Sequence, residues 1–187
     1  MISTRQMAAA LTGLWLVLKL EPAGLAFFER NLAGFWRSYV AALILAPLNL
    51  LHVVLDFPRA GETLAFTPYL ITQALAYVLS WTAYPFAMLY VLNLLDREAR
   101  FFEYMVPYNW FQLAVGLVVF PISLLFDVGL LSAPGAAFLQ LLTLGLFMSY
   151  ATFLARLTLN IVLSSAFALV VFDILLNLLI NQVVARI

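Results

Sequence analysis

Leu157–Val184 reads LTLNIVLSSAFALVVFDILLNLLINQVV, and these 28 residues carry a single ionisable side chain, Asp173. As one helix the stretch is about 42 Å long, more than the roughly 30 Å of a bilayer's hydrocarbon core. A helix that is apolar on every side has to be buried in protein or in lipid. In a chain of 187 residues there is too little other material to bury it, so the stretch reads as a membrane span.

Four more stretches have the same character. They run from Phe35 to Asp56, Thr67 to Leu95, Tyr104 to Phe126 and Gly135 to Leu154. The connections between them are short and charged or rich in Pro and Gly: DFPRAGE at 56–62, DREARFFE at 96–103 and the turn at 127–134. Pro68 suits a first helical turn, and kinks are expected at Pro47 and Pro85. Composition agrees, with 66% hydrophobic residues, 10% charged residues and a mean hydropathy of +1.06. The fold expected is all-α, a polytopic transmembrane helical bundle of about five spans over residues 35–187.

Residues 1–34 form an interfacial amphipathic segment in this reading. Arg5, Thr12 and Lys19 recur every seventh residue on one face, with Met7, Leu11, Leu14, Trp15 and Leu18 on the other. Glu21-Pro22 ends this helix, and a second amphipathic stretch follows from Ala23 to Gly34. The beginning resembles a signal peptide, with Arg5 before an apolar run and small residues at Ala23, Gly24 and Ala26. Lys19 and Glu21 crowd the would-be cleavage region, so the segment is expected to stay attached.

Placing the amphipathic segments in the cytoplasm gathers Arg5, Lys19, Arg30, Arg37, Arg97, Arg100 and Arg156 on that side, against Arg59 and Arg186 on the other. The positive-inside rule then expects a bacterial inner-membrane protein with its N-terminus cytoplasmic and its C-terminus periplasmic.

Zero formal net charge argues against nucleic acid as a partner, and the absence of cysteine removes thiol chemistry and cysteine metal sites. His52 is the only histidine, so neither a Ser-His-Asp set with spare members nor a histidine metal site can be assembled. It reads as a satisfied interfacial side chain. No catalytic residue, metal or cofactor is expected.

Two polar constellations stand out inside the spans. Asp173, Asn177 and Asn181 lie at i, i+4 and i+8 on one face of the last span. A carboxylate at that depth costs at least about 2.5 kcal/mol unless it is paired, protonated or hydrated. The stripe lines a proton or ion path, or it glues two helices by hydrogen bonds. The second constellation is polar and aromatic: Tyr69, Gln73, Tyr77, Ser80, Trp81 and Tyr84 on the second span, with Tyr104, Tyr108 and Gln112 on the third and Asn109 and Trp110 beside them. It reads as a groove for a lipid, quinone or other apolar ligand, or as helix packing with an interfacial aromatic belt.

RFFEYMVPYNWFQ at 100–112, ARLTLNIVLSSAFALVVFDILLNLLI at 155–180 and FWRSYVAALILAPL at 35–48 resemble segments of small uncharacterised integral membrane proteins of alphaproteobacteria. The overall plan also resembles the Yip1 family: a cytoplasmic amphipathic N-terminus, about five spans and a non-cytoplasmic C-terminus. The polar motifs of eukaryotic Yip1 proteins are not recognisable here. Neither resemblance implies a transferable activity.

The leading expectation is a non-enzymatic scaffold or accessory subunit of a membrane complex, in contact with membrane lipids and with a protein partner or further copies of itself. The alternatives are a small transporter or channel-like protein built on the Asp/Asn stripe, and a lipid- or quinone-binding protein.

Overall fold

A computed structural model describes residues 3–60 and 65–184. Its helices are α1 (Thr4–Leu18), α2 (Leu32–Ser38), α3 (Val40–Ala60), α4 (Phe66–Leu94), α5 (Phe101–Asp127), α6 (Ala133–Leu159) and α7 (Leu163–Val184), with 3-10 turns at Pro22–Phe27 and Glu98–Arg100. No strand occurs among the described residues. Among the described residues, five stretches are long and apolar enough to cross a membrane: Leu32–Phe57, Phe66–Leu94, Glu98–Asp127, Ala133–Leu159 and Leu163–Val184.

The first of these is two helices. The sequence suggests a single span kinked at Pro47, but the interruption falls at Tyr39, and α3 runs on through Pro47. Ser38 donates its hydroxyl to the Phe35 carbonyl at 2.6 Å, a local bond that competes with the helical ladder. Asn109 on α5 then donates to the same Ser38 oxygen at 2.8 Å. Nothing of this is visible in a sequence without Pro or Gly at the break.

The start of the last span is also corrected. Leu157–Leu159 and Arg156 belong to the final turn of α6, and α7 begins at Leu163. Asn160 sits in the left-handed region at φ 50° and closes α6, a conformation that asparagine tolerates better than most residues. The remaining carbonyls of α6 are capped from elsewhere. Arg97 donates to Leu159 O at 3.1 Å and Arg100 to Thr158 O at 3.0 Å. The 96–103 knot therefore clasps the end of a neighbouring helix.

The long helices form a ring in the order α3–α5–α6–α7–α4, with α4 returning to α3. α5 is the central member and also carries α1 and α2. α3 and α5 run parallel and close, and a side chain at Gly116 would collide with Leu45. At one end of the ring lie Arg97, Arg100 and the Glu29–Arg37 ion pair at 2.5 Å. At the other, His52 meets Asp127 at 2.6 Å and Tyr69 donates to Asp56 at 3.2 Å.

The N-terminal segment doubles back on itself. α1 opens with a capping box between Ser3 and Gln6, and Leu20 turns the chain at φ 62°. Gly13 and Gly24 then meet backbone to backbone. The face that α1 buries differs from the one read from the sequence. Ala10, Leu14 and Val17 are buried in protein, whereas Leu11 and Trp15 are exposed. Ala23–Gly34 is not one amphipathic helix: a 3-10 turn ends at Phe27, and Asn31 caps the start of α2 through Gly34 N at 2.8 Å.

Candidate functional site: a polar core between α5 and α7

The two polar constellations, separate in sequence, converge. Asp173 lies halfway along α7 and is 2% exposed. Its Oδ2 accepts from Tyr108 at 2.5 Å, and its Oδ1 accepts from Asn177 Nδ2 at 3.0 Å. Gln112, one turn along α5, donates to the Tyr108 hydroxyl at 2.6 Å. A buried carboxylate is tolerated when its lone pairs are matched in this way.

Tyr84 belongs to this core without lining a cavity. Its hydroxyl pairs with that of Tyr104 at 2.7 Å, and its ring lies 4.8 Å from that of Tyr108. Its neighbour Pro85 has no N–H and leaves the Trp81 carbonyl without its helical donor. Tyr39 donates to that carbonyl at 3.4 Å.

Above the carboxylate the helices part around a cavity of about 400 Å³. Gln73, Tyr77 and Trp81 line it from α4, Tyr108, Asn109 and Gln112 from α5, and Asn177 and Asn181 from α7. A second cavity of about 370 Å³ lies between α5, α6 and α7. Gln112, Asn177 and Asn181 line both, and Asp173 opens onto the second.

Four members were not singled out from the sequence. Asn49 lines the first cavity, beside the expected Ser80, and Gln140 and Thr143 line the second. Ser38 holds Asn109. Asn49 and Gln140 were findable, because each is an isolated amide within an apolar run. Ser38 and Thr143 give no such signal, since a hydroxyl can satisfy itself on its own helix. Thr143 does so, at 2.8 Å from Leu139 O.

Among the described residues no three His, Cys, Asp or Glu side chains gather as a metal site would require. Chemically, the core can hydrogen-bond, solvate or hold a charge within the bilayer. Comparison with family models, curated proteins and solved structures finds no match to this chain.

Proposed function

We propose that this polytopic protein binds a small polar solute within the membrane and passes it across. One observation carries the reading: amide and hydroxyl side chains from α3, α4, α5 and α7 converge, beside apolar ones, on a cavity of about 400 Å³ at mid-span. Polar groups at this depth are expensive, and a water-filled or solute-filled cavity is where they are kept. Ligand sites of transporters commonly lie near the midplane between helices. In the orientation argued from arginine and lysine placement, the cavity opens towards the periplasmic half of a bacterial inner membrane.

The test is uptake by proteoliposomes of the wild type beside Gln73→Leu and Asn181→Leu. Both side chains line the cavity, and Asn181 is exposed to it. Flux lost in folded variants supports the reading. Variants indistinguishable from wild type, together with a stoichiometric protein partner after gentle solubilisation, favour the accessory-subunit role instead. The lipid- or quinone-binding alternative, read from the stripe on the second span, would be better suited by an apolar groove of about 710 Å³ between α2, α4 and α5, walled by Trp36, Tyr39, Phe86, Phe101 and Phe102.

A further inference from the structure

The side-chain hydrogen bonds that lead to Asp173 all run in one direction. A carboxylate accepts and cannot donate. Tyr108 must therefore give its only proton to Asp173 Oδ2, and Asn177 must turn its NH₂ to Oδ1. With that proton committed, the Tyr108 oxygen can only accept, so Gln112 must turn its NH₂ to it. The amide carbonyl oxygens of Asn177 and Gln112 are thereby left over, and both residues line both cavities.

The hydroxyls follow the same rule. Ser80 donates to Tyr77 O at 2.8 Å, Tyr77 to Ala42 O at 2.6 Å, and Thr143 to Leu139 O at 2.8 Å. Each keeps lone pairs and spends its proton on backbone. Among the described residues no Lys, Arg or His lines either cavity. Next to the one carboxylate the walls thus present the Asn177 and Gln112 carbonyl oxygens, with no Lys, Arg or His among the described lining residues to balance its charge.

We infer that the solute held here is a monovalent cation, bound at the junction of the two cavities by the carbonyl oxygens of Asn177 and Gln112 next to Asp173. Hard oxygen donors suit alkali metal ions, and the same acceptors suit the N–H groups of ammonium or a small amine. One carboxylate matches one positive charge. Asn181, which has no hydrogen-bond partner among the described residues, supplies a further amide. The inference rests on the solute-binding reading and names its substrate class.

The experiment follows thermal unfolding of the full-length protein in detergent, titrated with sodium, potassium, ammonium, methylammonium or N-methylglucamine chloride at constant ionic strength. The expected result is a saturable rise in Tm with a small cation and none with N-methylglucamine. The preferred salt separates an alkali ion from an amine. Asn181→Ala, on the cavity wall, should keep the fold and raise the half-saturating concentration about tenfold, as loss of one bond to a charged group would. Asp173→Asn should abolish the response, and if that variant does not fold, Asn181→Ala decides. An equal response to every salt, or a titration unchanged in Asn181→Ala, would overturn the inference. Stabilisation by a neutral amide or polyol, sensitive to Asn181→Ala and with no cation effect, would overturn the cation but leave the solute-binding reading standing. No response to any probe, with flux absent, would remove both.

Discussion

Tyr108 on α5 and Asp173 on α7 meet at 2.5 Å although 65 residues separate them in the chain. α5 and α7 are not neighbours in the ring of helices, so this bond ties the ring across its interior. Both side chains are buried, at 3% and 2% exposed.

Removing the donor should therefore be felt throughout the bundle. Tyr108→Phe leaves Asp173 with Asn177 alone and leaves the Gln112 amide without its acceptor. The expected loss is about 1–3 kcal/mol, the range for orphaning buried polar groups. Reversible unfolding in detergent measures it. Wild-type stability in this variant would mean that water or Asn177 already satisfies the carboxylate.

The N-terminal hairpin should be separable from the spans. A Cβ at Gly24 would stand 2.6 Å from Gly13 O and 2.9 Å from Val17 N, both backbone atoms that cannot swing aside. Gly24→Ala should open the contact between α1 and the 3-10 turn, at about 1–3 kcal/mol for an overpacked site. Limited proteolysis should then cut before Leu32 while the spans stay intact. Cleavage no faster than in wild type would show that the hairpin shifts as a body.

Single cysteines in this cysteine-free chain test the topology. Glu98 lies in the charged 96–103 connection and Leu130 in the turn between α5 and α6, one at each end of α5. The positive-inside rule expects Glu98→Cys to react only with a permeant reagent in intact cells and Leu130→Cys with an impermeant one. The reverse pattern would invert the protein in the membrane.

How much of this was legible follows from what each feature depends on. The spans are local: long apolar runs broken by charge, and five appear, although the first is broken at Tyr39 and the last begins later than read, at Leu163. The Asp173–Asn177 bond is also local, since residues four apart on a helix are neighbours. The partnership with Tyr108 was out of reach, because periodicity says which residues share a face and nothing of which helix that face meets. The break at Tyr39 was missed because its cause, the Ser38 hydroxyl, leaves no mark on hydropathy. Arg156 was placed at the start of the last span for a related reason. Charge marks an interface, while the end of α6 is set four residues later by the left-handed Asn160.

Asp173 finally separates stability from ion recognition. Asp173→Leu removes the acceptor of Tyr108, at about 1 kcal/mol for a lost interhelical bond in a membrane. Asn177 suffers less, because its NH₂ also reaches the Asp173 backbone carbonyl at 3.1 Å, a contact the substitution preserves. Asp173→Asn is nearly isosteric and keeps a carbonyl for Tyr108. Its own NH₂ now faces the NH₂ of Asn177, so Asn177 must rotate its amide and accept instead. The rotation gives up the Asn177 bond to the backbone carbonyl of residue 173, so one bond is lost, and stability should fall by about 1 kcal/mol. The rotation also reverses the wall, with Asn177 turning its donor towards the cavity in place of its carbonyl. A cation then meets neither the charge nor that oxygen. The expectation is a folded Asn variant blind to cations, beside a Leu variant that is both less stable and blind. Unfolding curves with and without the preferred salt, run for all three proteins, give both readouts at once. If Asn proved as destabilising as Leu, the negative charge itself, rather than the geometry of its acceptors, would be what organises the core.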